Sequence, residues 1–137
     1  MPRIVALDLG KKRTGIAVSD ENKIIATALA TVQTNELIGY LKNYMKTESV
    51  EKIIVGFPLN MDGSATDGTP VVEKFIIKFG NVLPQMPIVK IDERFTSKIA
   101  RLAIGEMGLN KKTRENKGLT DQVSAVLILQ DYLQNGG

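Results

Sequence analysis

Four acidic residues at three places in the chain could do chemistry: Asp8, the pair Asp92-Glu93, and Asp121. Asp8 interrupts the apolar run Ile4-Val5-Ala6-Leu7-Asp8-Leu9, and an ionised carboxylate inside such a run is costly unless it is paired or holds a metal. Its bland alternative is to cap the turn near Gly10 or to pair with a nearby Lys or Arg. Asp92 and Glu93 end the run Pro87-Ile88-Val89-Lys90-Ile91-Asp92 and precede Arg94. Strand alternation sets Glu93 on the face of Val89 and Ile91 and Asp92 on that of Lys90, so only one acid of the two can share a direction with Asp8. Glu93 is the expected one, against the alternative of a strand end turning polar as it meets solvent. Asp121 is expected in the first turn of the last helix, where the helix dipole favours a carboxylate whatever its role. Its candidacy depends on that helix crossing the sheet near the ends of the strands carrying Asp8 and Glu93.

The chain has no histidine and no cysteine. That removes imidazole general bases, Ser-His-Asp triads, thiolate nucleophiles, disulfides and His- or Cys-ligated zinc. Three converging carboxylates without histidine suit Mg²⁺ or Mn²⁺, hard cations that prefer oxygen and share their shell with water and phosphate. One or two such ions can support in-line displacement at a phosphodiester without a protein nucleophile. Carboxylates packed so closely resist simultaneous ionisation without metal.

Positioning these acids requires elements that the apolar periodicity outlines. Residues 4–9, 15–19 and 24–32 are β-prone runs joined by short polar turns, as in an antiparallel meander. From Asn35 to Glu48 the period becomes helical through Leu37, Leu41, Tyr44 and Met45, with Thr34 placed to cap. Residues 52–57 form a continuous apolar strand of the doubly covered kind. A loop from Pro58 to Gly68 follows, then a helix over 70–79, a strand over 87–92, a helix over 97–107, a polar basic loop over 108–118 and a largely buried helix over 120–133. Strands alternating with helices imply right-handed parallel crossovers, hence an α/β fold with a mixed five-stranded sheet: an antiparallel meander plus parallel strands, flanked by helices. Ligands of such sheets bind beyond the carboxyl ends of the parallel strands.

With 137 residues, 43% hydrophobic and 24% charged, one compact domain over 1–137 is expected. No apolar run reaches the ~18 residues of a membrane span. The start, Met-Pro-Arg-Ile-Val, does not resemble a secretory signal, so a cytoplasmic protein is expected. The net charge of +3 is uneven: residues 94–117 hold seven basic and two acidic residues, so this stretch carries +5 and the rest −2. A phosphate-rich partner would select such a cluster, although a solvated face is its commoner origin. With four Phe, three Tyr and no Trp, recognition by shape and backbone is favoured over base stacking. Lys11, Lys12 and Arg13 would hold phosphates near the metals. The segment 58–64 offers Asn60, Asp62 and Ser64 to a substrate backbone, although its Pro, Asn, Asp and Gly are also plain turn residues and spacing alone favours the turn.

Four blocks of the chain resemble the bacterial YqgF family. They are Asp8-Leu9-Gly10 with Arg13-Thr14-Gly15-Ile16-Ala17-Val18; Val55 through Ser64; Asp92-Glu93-Arg94-Phe95-Thr96-Ser97; and Lys117-Gly118 with Asp121 before Ser124-Ala125-Val126-Leu127-Ile128-Leu129. The resemblance implies a ribonuclease-H-like fold related to Holliday-junction resolvases and a nuclease that matures the 5′ end of pre-16S ribosomal RNA. It implies an acidic site of Asp8, the pair Asp92-Glu93, and Asp121. Beside that site, Lys11, Arg13, Asn60, Arg94, Thr96 and Lys117 are the expected substrate contacts. Gly56-Phe57-Pro58 stands where the resolvases carry an acid, so the acid after the next strand would substitute.

Other readings remain open at this level. Asp8-Leu9-Gly10 followed by basic and small residues also resembles the first phosphate loop of the actin and sugar-kinase superfamily, but that architecture needs a second lobe and a second Asp-x-Gly strand. A binding protein without turnover would share the charge pattern. Structured RNA and branched DNA compete as substrates, and monomer and homodimer as assembly states.

Overall fold

The structure is a computed structural model that describes residues 2–57, 64–65, 68–92 and 117–134; the side chains of Asp92 and of residues 117–121 lie outside the description. The first three β-prone runs form the expected meander of β1 (Arg3–Leu9), β2 (Arg13–Ser19) and β3 (Ala26–Gln33). Both pairings are antiparallel, and their registers put Asp8 opposite Gly15 and Gly15 opposite Thr31. β4 (Val50–Phe57) then pairs parallel with β1, and β5 (Ile88–Asp92) parallel with β4. The sheet order is β3-β2-β1-β4-β5, the mixed five-stranded arrangement expected from the sequence.

Strand alternation divides the core in two. On one face Val5, Leu7, Leu9, Ile16, Val18, Ile53 and Val55 meet α1 (Leu37–Thr47) and α2 (Thr69–Val82), which bury Leu37, Leu41, Val72, Phe75 and Phe79. On the other, Ile4, Ala6, Ala17 and Ile54 meet α3 (Lys117–Gln134) through Ala125, Ile128, Leu129 and Tyr132. The latter four recur at helical spacing, so one stripe of α3 covers the sheet. Each fully buried Leu, Ile or Phe contributes about 1.5–3 kcal/mol.

Three local expectations need correction. Ile24 and Ile25 lie outside β3 and are 63% and 59% exposed. The Asp20 carboxylate accepts hydrogen bonds from their amides, at 2.7 and 3.0 Å, and Lys23 adopts a left-handed φ of 59°, so the chain curls before pairing begins. Thr34 does not cap α1. It opens a 3₁₀ turn, Thr34–Glu36, and the residue before α1, Glu36, makes no side-chain cap bond. The last helix begins at Lys117 rather than Thr120, so Lys117 and Gly118 are helical rather than part of the basic loop. The expected helix over 97–107 and the loop residues 108–116 lie outside the described residues. No helix of the described residues is long and apolar enough to cross a membrane.

Candidate active site

Asp8 is the penultimate residue of β1 and is half-buried. It shares the alternation of Ile4 and Ala6, whose side chains pack beneath α3, and therefore faces α3 rather than α1 and α2. Its counterparts in the two flanking strands are both glycines. Gly15 is its register partner in β2, and the pairing of Leu7 with Val55 brings it level with Gly56 in β4. Because β1, β4 and β5 are parallel, their carboxyl ends share one edge, where sheets of this kind take ligands.

Side-chain bonds fix the direction of α3. Gln122 Nε2 donates to Thr31 Oγ1 at 2.8 Å near the end of β3. Gln130 Oε1 accepts from the amide of Ala26 at 3.0 Å at the start of β3, and Lys52 Nζ donates to Tyr132 Oη at 3.0 Å at the start of β4. α3 therefore runs antiparallel to β1, and its N-terminal end lies over the row Thr31, Gly15, Asp8. That brings the backbone of Asp121 to the level of Asp8. Asp121 is the fifth helical residue, and no acid occupies the first turn. The dipole effect is confined to about that turn, so it no longer accounts for this acid.

Along β5, Val89 and Ile91 pack in the core beneath α3. Lys90 turns to the other face, with Nζ 4.8 Å from the centre of the Phe57 ring. The alternation behind the choice of Glu93 thus holds through Ile91. Glu93 itself, with Asn60, Arg94 and Thr96, lies outside the described residues; Lys117 and Asp121 are described by backbone alone. Among the described residues no group of three potential metal ligands occurs.

Two residues after Asp8 the chain turns tightly. The Gly10 amide donates to Arg13 O at 2.9 Å, and a Cβ on Gly10 would come within 2.7 Å of that oxygen, so only glycine fits without a backbone shift. Thr34 Oγ1 donates to Gly10 O at 2.6 Å, Thr14 and Thr34 share a hydroxyl contact of 2.9 Å, and the Thr34 amide donates to Lys12 O at 2.9 Å. These bonds hold Lys11, Lys12 and Arg13 around a hollow of about 520 Å³ shared with Gln33 and Asn35. Sequence reasoning missed two positioning residues, Gln122 and Thr34. Thr34 carried only the look of a helix cap, and Gln122 carried no signal.

Hydrogen bonds from the amides of Ile25 and Ile24 hold Asp20 below its ordinary value, and the bond to Tyr132 raises Lys52. Both sit at the opposite end of the strands from Asp8.

A family model described as RuvX, Holliday junction resolvase, matches residues 2–135. A Flavobacterium johnsoniae protein named "Putative pre-16S rRNA nuclease" is 47% identical over 135 residues, covering 98% of each chain. A Bacteroides fragilis protein of the same name is 50% identical over 134 residues, covering 98% of this chain and 97% of its own. Among solved structures, Thermus thermophilus RuvC in complex with a Holliday junction aligns with a TM-score of 0.58 and 13% identity, covering 99% of this chain and 97% of that one. At that identity the likeness concerns the fold, which is ribonuclease-H-like as the motif resemblance implied.

Proposed function

The chain belongs to the RuvX family, and from that premise we propose that it is a metal-dependent phosphodiester hydrolase processing the 5′ end of pre-16S ribosomal RNA. It would act in the cytoplasm as one nuclease domain spanning residues 1–137. The observation that carries the reading is Asp8 itself, a half-buried carboxylate between Gly15 and Gly56 at the carboxyl edge of the parallel strands, facing the start of α3.

An oxygen donor beside glycine-bared strands fits a hard divalent cation. Asp8, Glu93 and Asp121 would hold it, and Mg²⁺ or Mn²⁺, as one or two ions, would lower the barrier to attack by water and stabilise the leaving oxygen. Lys11 and Arg13 would draw the phosphate backbone to the sheet edge, where the field of clustered cations concentrates a polyanion. Asn60, Arg94, Thr96 and Lys117 would make further substrate contacts. The names of the relatives favour ribosomal RNA as substrate. The family's description favours a branched-DNA junction as the second reading.

The test is incubation of the full chain with structured precursor ribosomal RNA and with a four-way DNA junction, each with Mg²⁺, Mn²⁺ or EDTA. Cleavage of the RNA with either metal is expected. Asp8→Asn should lower its rate by roughly a thousandfold, the scale of several kcal/mol of lost transition-state stabilisation. Cleavage that persists in EDTA or in Asp8→Asn would overturn the mechanism, and preference for the junction would reassign the substrate.

A further inference from the structure

The face of the sheet away from Asp8 carries a second basic concavity. Where the start of α1 meets α2, a groove of about 320 Å³ has Lys11, Lys74 and Lys78 on its rim and Ile38, Val71 and Phe75 along its base. Lys74 and Lys78 are one helical turn apart on α2, where like charges repel, and Lys11 faces them from the turn after β1. Among the described residues none of the three lysines takes part in an ion pair or hydrogen bond. Three exposed cations around an apolar floor match a ligand with several negative charges and a flat apolar part. A volume of this size suits a small ligand or an unpaired nucleotide and does not admit a double helix.

The groove is continuous with the edge that holds Asp8. Lys11 and Asn35 line both it and the hollow of Lys12 and Arg13, and that turn begins two residues after Asp8. We propose that the groove binds an unpaired RNA strand flanking the bond cut near Asp8, with its phosphates on Lys11, Lys74 and Lys78 and a base against Ile38, Val71 and Phe75. The strand would cross the sheet edge from one face to the other. This inference rests on the nuclease reading above and adds to it a requirement for single-stranded RNA beside the cleavage position.

The experiment compares binding of the full chain, with Ca²⁺ in place of the catalytic metal, to two RNAs: a stem with a single-stranded 5′ extension and the same stem made blunt. Lys74→Glu with Lys78→Glu should weaken binding of the extended RNA about tenfold more than that of the blunt one. Lys74→Ala with Lys78→Ala should flatten the log-affinity against log-salt slope for the extended RNA by roughly 1 to 1.5 units. Lys23→Glu with Lys46→Glu, at the opposite end of the strands from Asp8, is the charge-matched control, and thermal melting checks that each variant is folded. Equal losses on both RNAs, or no loss on either, would overturn the groove assignment while leaving cleavage by the wild type intact. Competition by polyglutamate as strong as that by a single-stranded RNA would also overturn it, reassigning the groove to an acidic protein. A wild type that neither binds nor cleaves the extended RNA would instead overturn the nuclease reading, and this inference with it.

Discussion

A lone carboxylate in an apolar strand is informative because burial makes it costly, and Asp8 is half-buried in the folded chain. The two glycines beside it could not be connected to it from the sequence, since Gly15 and Gly56 become its neighbours only through strand register. The choice between Asp92 and Glu93 follows from alternation, and the packing of Val89 and Ile91 beneath α3 supports it. Glu93→Gln should therefore lower the rate of RNA cleavage by about two orders of magnitude more than Asp92→Asn, as expected for losing a metal-holding carboxylate rather than its neighbour. Steady-state rates at saturating Mg²⁺ would check this, and the reverse order would move the site to the other face of β5.

At the level of elements, the site depends on how α3 lies across the meander. Its apolar stripe secures it to the sheet, but a stripe alone allows it to slide. The amides of Gln122 and Gln130 remove that freedom by bonding near the two ends of β3. Gln122→Ala should cost about 1 kcal/mol of stability. It should lower kcat several-fold with KM little changed, because displacement of a positioned group by even an ångström is expensive in rate. A fall in melting temperature with kcat preserved would reduce Gln122 to a structural tie. The turn after β1 was legible as a basic Gly-bounded turn, whereas its dependence on Thr34 was not. A threonine before a helical period has the same local sequence whether it caps the helix or reaches across to another turn.

For the whole molecule, charge and fold combine at one edge. The described cations Lys11, Lys12 and Arg13 sit there, with Lys74 and Lys78 on the helix behind. The larger excess of positive charge, over residues 94–117, comes in sequence between β5 and the body of α3. Replacing Lys111, Lys112 and Arg114 together by alanine should weaken RNA binding and flatten its salt slope by about 2 to 3 units. Titration of affinity across salt concentrations measures this directly, and an unchanged slope would remove that segment from the contact surface.

The sequence by itself determined the class of chemistry and the parts of the fold. The absence of histidine and cysteine excludes most catalytic groups outright, and strand and helix periods are local properties that survive without tertiary knowledge. Local signals also misled where a side chain overrode them: Asp20 drew Ile24 and Ile25 out of β3, and Thr34 left its cap position for Gly10. Tertiary structure alone decided which face Asp8 looks toward and which end of α3 meets it. Those facts rest on contacts between residues far apart in the chain, such as Gln122 with Thr31 across 91 positions and Gln130 with Ala26 across 104. No local pattern encodes such a pairing, because it is the shared burial of two distant surfaces that selects it.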